Sequence, residues 1–140
     1  FNDVHALMAF IGTGEEEAGA RIVDAVTRRG RDAQGVALSM MAREVGQAVS
    51  RALVAFGAAH YDDAIESLLA VRGQAHRYGG SHAQRDLLDL TLIQAAIRSG
   101  RTRLAEHLLN ERIARRAVGG LGRRWLAEAR AADVRGQVAA

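Results

Sequence analysis

The sequence contains no proline, no cysteine and no lysine, and aromatic residues make up only 4% of it. Without cysteine there is neither a disulfide framework nor a thiolate metal site. Without proline nothing in the chain carries the ring that breaks helices. No apolar run approaches the ~18 residues that a membrane-spanning helix needs. The N-terminus lacks a basic segment followed by an apolar one, so it does not read as an export signal. β-branched residues are scattered, and no stretch alternates apolar and polar side chains over a useful length, which argues against strands. All 19 basic residues are arginine, the mark of a GC-rich coding bias, and the expectation is a bacterial, cytoplasmic protein. The chain opens on Phe1 rather than methionine and reads as part of something longer.

What is present favours helix. Alanine, leucine, arginine, glutamate and glutamine dominate, all good helix formers, in a chain of 140 residues that is 49% apolar and 25% charged. That length and balance suit one globular domain with a sizeable core. Glycine-containing breaks at Gly12–Gly14, Gly30, Gly79-Gly80, Gly100 and Gly119-Gly120 divide it into helix-sized pieces. The spacing predicts helices at 3–11, 15–28, 33–58, 61–77, 82–99, 102–116 and 122–135, about seven in all. The first carries Val4, Leu7, Met8 and Ile11 on one stripe, and the long third carries Val45, Val49, Leu53 and Phe56. Acids open two of them, Glu15-Glu16-Glu17 and Asp62-Asp63, where the helix dipole favours negative charge. Short turns between them imply antiparallel neighbours, with hairpins near 3–28, 33–77 and 82–116 and a terminal helix.

The pieces repeat. Placing "AFGAAHYDDAIESLLAV" (55–71) over "AIRSGRTRLAEHLLNER" (96–112) sets Ala64 on Ala105, Leu68 on Leu109, Ala55 on Ala96 and Ala52 on Ile93, at a constant offset of 41. A weaker copy, residues 10–26, puts Gly19 at the small position and Val23 at the leucine position. A small residue followed one turn later by leucine is what two closely crossing helices need. The pattern resembles the tetratricopeptide repeat, and Tyr61 matches the aromatic residue near the start of that repeat's second helix. It departs from the repeat in lacking the proline after the second helix and the Trp-Leu-Gly signature, and in its longer spacing. "GGSHAQRD" (79–86) further resembles a motif of the tetratricopeptide repeat protein 38 family, with similar segments at 1–14 and 92–116. That resemblance implies an all-helical repeat fold and an interaction role, and no established reaction. The fold class expected is therefore all-α, a tetratricopeptide-like α-solenoid forming one domain over 1–140.

Residues 79–89 join two helices, and most of them explain themselves. Gly79 or Gly80 ends one helix, Ser81 caps the next, and Gln84 completes a capping box. Arg85 and Asp89, four apart, suit an ion pair along one face. His82 and Arg85 are left over, one turn apart, and that pair with Asp89 is a candidate site for a carboxylate. A hydrolase built on Ser81, His82 and Asp86 or Asp89 is disfavoured, because neighbours in sequence rarely face one another as a triad requires. The five histidines show no HExxH spacing, and "GTGEEE" and "GGLGRR" match no phosphate-binding loop. No metal and no cofactor is expected.

Charge is uneven. Residues 1–97 hold nine arginines and twelve acids, net −3, while 98–140 hold ten arginines and four acids, net +6. Three readings follow. The first is a protein-interaction or scaffolding module that binds a peptide or partner protein in a helical-repeat groove, with Val49, Leu53, Phe56, Leu90, Gln94 and Ile97 as candidate groove residues against the equal alternative that they are plain core. The second is an enzyme of unknown reaction near 79–89. The third is binding of nucleic acid or an acidic partner through Arg112, Arg115, Arg116, Arg123 and Arg124, with Trp125 alone nearby for stacking and no recognised motif, so that nucleic acid is disfavoured.

Overall fold

The computed structural model describes residues 2–31, 36–74, 82–115 and 120–138. Among them every regular element is helical: α1 (Asn2–Thr13), α2 (Glu16–Arg31), α3 (Val36–Met41), a π-helical turn (Ala42–Gly46), α4 (Gln47–Gly57), α5 (Tyr61–Arg72), α6 (His82–Arg98), α7 (Thr102–Arg115) and α8 (Gly120–Val138). The chain is all-α, as its composition implies. The long helix expected at 33–58 carries a wide π turn in its middle, which a continuous apolar stripe does not reveal. The helix expected to reach residue 77 ends at Arg72, where the Gln74 N–H closes on the Val71 carbonyl at 2.9 Å. The helix expected from 122 starts at Gly120. Gly79, Gly80, Ser81 and Arg116 lie outside the described residues, so the expected glycine stop and Ser81 cap do too.

Each helix packs on the next. The α1–α2 pair lies against the π turn and α4, α5 packs between α4 and α6, and α7 packs between α6 and α8, while α4 also touches α1 and α6. The turns that allow this share one geometry. Gly14 (φ 76°), Ala59 (φ 60°) and Gly100 (φ 76°) are the described residues in the left-handed region. In each case the N–H of that residue reaches back three residues, to the carbonyls of Ile11, Phe56 and Ile97 at 3.3, 3.1 and 3.2 Å. At the first two turns the next N–H reaches back five, Glu15 to Phe10 and His60 to Ala55, both at 2.8 Å. This is the Schellman closure of a helix C-terminus. The following helix then starts identically, with Gly19, Ala64 and Ala105 donating to Glu15, His60 and Arg101.

The small residues sit in the core. Ala52, Ala64, Ala95, Ala96 and Ala105 are fully buried, and Leu68, Leu92, Ile93, Leu108 and Leu109 fill the space around them. Glycines bring helices closer still. A Cβ on Gly57 would lie 2.4 Å from Ile11 Cγ2, and one on Gly46 would lie 3.3 Å from Val26 Cγ1. Gly57 thus lets the end of α4 rest on α1, and Gly46 lets the π turn rest on α2.

Ala59 is the one described non-glycine residue in a left-handed conformation, which costs an L-residue about 1–2 kcal/mol. Glycine removes that strain but loses about 0.4–1 kcal/mol through a freer unfolded chain. Urea unfolding of Ala59→Gly should therefore show a gain of about 0.5–1 kcal/mol, and Gly100→Ala a loss of similar size. A destabilised Ala59→Gly would contradict the turn geometry.

Candidate functional site

Two depressions hold the residues of interest. The first is a charged cleft of about 310 Å³ between α5, α6 and α7, lined by Arg72, His82, Arg85, Asp86, Asp89, Arg112 and Arg115 over a floor of Leu68, Val71, Leu88 and Leu92. All three members of the candidate carboxylate site, His82, Arg85 and Asp89, are on its wall. Its charges are tied to one another across helices. Arg72 on α5 donates to Asp89 on α6 at 3.1 Å and to Glu111 on α7 at 2.6 Å. Arg112 grips the Asp86 carboxylate with both terminal nitrogens, one at 2.8 Å. Glu111 also accepts from Arg115 at 3.0 Å and lies 3.4 Å from His107.

The expected pairing along α6 is thus replaced in part. Asp89 is held by Arg72, seventeen residues earlier, while Arg85 Nη2 lies 3.3 Å from His82 Nδ1. His82 is exposed and Arg85 half-buried. The pairings of Arg72 with Asp89 and Glu111, and of Arg112 with Asp86, escape a sequence reading because the partners lie on different helices, and no local spacing announces them.

Partial burial works against the Arg72 charge, but the hydrogen bonds to Glu111 and Asp89 outweigh it and its pKa is raised. The bond to Asp86 does the same for Arg112. The Arg72 hydrogen bond, with the positive charges of Arg72, Arg115 and His107, holds the Glu111 carboxyl below its ordinary value of 4.5 against a desolvation effect that raises it. The cleft is chemically a clasp joining three helices. Among the described residues no three histidine, aspartate or glutamate side chains form a group fit for a metal ion.

The second depression is larger, about 960 Å³, and mostly apolar. It lies between the α1–α2 hairpin and the α4–α5 hairpin. Leu7, Phe10, Ile11, Gly19, Ala20, Val23, Val54, Ala55 and Ala58 make its surface, and Glu15, Glu16, Asp24, Asp63 and Arg51 stand around it. Val54 is 43% exposed, one of the few large apolar side chains so open to solvent. The sequence offered one clue to it: Val54 lies beside Leu53 and off the stripe that faces the core.

The candidate groove residues are corrected in part. Val49 is fully buried and Leu53 is 4% exposed, so both belong to the core and line no open surface. Phe56, Leu90, Gln94 and Ile97 are half-buried. Phe56 packs edge-on to Tyr61 with ring centroids 5.5 Å apart, and the Arg98 guanidinium lies 5.0 Å from the Phe56 ring centre and 5.8 Å from that of Tyr61. Of the arginines offered to an acidic partner, Arg112 and Arg115 are paired, Arg123 and Arg124 are exposed, and Trp125 is half-buried against the core. No protein-family model matches the chain, and no solved structure matches it.

Two measurements test the clasp. Asp86 and Arg112 side chains are only 12% and 17% exposed, so Asp86→Ala should lower unfolding free energy by about 2–3 kcal/mol, near the lower end for a broken buried pair. Replacing both, Asp86→Leu with Arg112→Met, should recover most of that loss. The second concerns pH. The folded-state pKa of Glu111 lies below the unfolded value, so its stabilising contribution is complete above pH 4.5 and fades as pH falls through the lowered value. Below pH 4.5 the parent protein should lose stability more steeply than Glu111→Gln, as followed by urea unfolding at a series of pH values.

Proposed function

We propose that the chain is a protein-interaction module of tetratricopeptide-like helix hairpins, which takes a peptide or partner helix in the groove between its first two hairpins. The observation that carries this reading is the apolar groove itself, about 960 Å³, with an exposed valine and half-buried phenylalanine and isoleucine in its wall. An apolar depression of that size is what a binding surface presents and what an idle surface rarely keeps. The repeat reading is supported by the three turns with a left-handed residue and the same back-reaching hydrogen bonds, at offsets of 45 and 41 residues. The hairpin-on-hairpin packing supports it as well, because each hairpin buries its apolar face against the next. The resemblance of residues 79–86 and their flanks to the tetratricopeptide repeat protein 38 family points the same way.

The groove differs from the one expected from repeat equivalence. It is walled by α2 and α5, the second helices of their hairpins, as well as by α1 and α4. The enzyme reading near 79–89 draws less support, because the carboxylates of Asp86 and Asp89 are engaged by arginines and a general base needs a lone pair free for substrate.

Selection from a displayed library of helical peptides should yield binders with dissociation constants of about 10 μM or better. Amide shifts on titration of a selected peptide should cluster in α1, α2, α4 and α5. Binders that perturb only α6, α7 and α8 would overturn the assignment of the groove.

A further inference from the structure

We propose that the occupant of this groove is a cationic amphipathic helix, an inference that rests on the reading just given. The argument starts from which charges are unmet. In the cleft between α5, α6 and α7, Asp86, Asp89 and Glu111 all accept from arginines. Around the apolar groove the balance differs. Glu15, Glu16, Asp24 and Asp63 are all exposed, against the single guanidinium of Arg51. Glu15 accepts from the Thr13 hydroxyl at 3.3 Å, and Asp24 has only a distant contact with Arg28 at 4.0 Å. Glu16 and Asp63 have no ion-pair partner among the described residues. Glu15, Glu16 and Asp63 stand in first turns or beside them, where the helix dipole accounts for their sign. Asp24 is midway along α2, where it does not. The carboxylates therefore put negative charge at the border of an apolar trough, three from α2 and the turn before it and one, Asp63, from α5.

The walls decide the partner's backbone. They are helices, whose interior N–H and C=O groups are already bonded along their own axes. An extended peptide laid on them would find no ladder to join and would leave its own backbone polar groups against apolar side chains. A helix brings its backbone bonds with it. The complementary ligand is thus a helix with an apolar stripe at i, i+3, i+4 and i+7 and lysine or arginine on the flanks of that stripe.

The test uses two fluorescently labelled 15-residue helical peptides with the same leucine stripe, one with lysines and one with glutamates on the polar face. Anisotropy titration should show the lysine peptide binding at least about tenfold tighter, a preference that shrinks as salt rises, because exposed charges are screened. The triple variant Glu16→Lys/Asp24→Lys/Asp63→Lys, all at exposed positions, should invert the preference. Val54→Arg, also at an exposed position, should abolish binding of both peptides. Equal binding of the two peptides overturns the charge inference and leaves the groove as a docking site. Lysine-peptide binding that survives Val54→Arg overturns its placement in this groove. Failure of both peptides to bind, while helices from the displayed library do bind, overturns the cationic amphipathic class alone. Failure of every helix overturns the groove reading with it.

Discussion

The helices of this protein hold together only because they meet at residues with almost no side chain. Aromatics make up 4% of the sequence, so bulky groups cannot fill wide gaps between helix axes. The axes instead come close enough for alanine, valine and leucine to fill the space at the density a protein interior requires. Ala64 and Ala105 are fully buried one turn before Leu68 and Leu109. Gly57 admits Ile11, and Gly46 admits Val26, at distances a methyl group would violate or strain. The turns serve the same end. A left-handed residue at Gly14, Ala59 or Gly100 reverses the chain within about one helix width and starts the next helix against the last.

The groove follows from that constraint. Ala20, Ala55 and Ala58 are the kind of residues that elsewhere in this fold receive a neighbouring helix. Between the first two hairpins they bound an open trough. That apolar trough, bordered by small residues, is the basis for the proposed docking of a helix. Its acidic rim distinguishes it from an unfinished core, which would have no use for four carboxylates at its border.

Much of the fold was legible in the sequence because its information is local. Helix spacing, glycine breaks and the small-then-leucine register depend on residues within a few turns of one another, and the offset of 41 reappears in the hydrogen bonds of the turns. Two things were not local. The π turn at Ala42–Gly46 inserts one residue into a helix whose apolar stripe reads as unbroken on either side. The burial of Val49 and Leu53 depends on the helices packed around α4, which periodicity alone does not fix. At the candidate site, the sequence found His82, Arg85 and Asp89 by their shared place after a turn, and all three line the cleft. It assigned Asp89 to the nearest arginine on the same helix. The structure gives it to Arg72, the last residue of α5, because α5 packs against α6 and brings that guanidinium to the middle of α6.

Charge totals were the most misleading signal, and the reason is physical. The last 43 residues carry a net +6, which suggests a surface for anions. In the folded chain Arg101 and Arg112 meet Asp62 and Asp86 of the earlier segment, which offsets two of those six charges, while Arg115 and Arg130 meet Glu111 and Glu106, acids already counted in the total. The acids from the −3 segment divide into two groups. Asp62, Asp86 and Asp89 reach arginines on later helices or on α5. Glu16 and Asp63 reach none among the described residues. Net charge by segment therefore counts both the pairs that build the molecule and the groups left to meet something else. Only the second set bears on recognition, and at the groove it is negative in the part of the chain whose total is also negative. In the basic C-terminal part Arg101, Arg112 and Arg130 tie α5, α6, α7 and α8 to one another, while Arg123 and Arg124 are exposed.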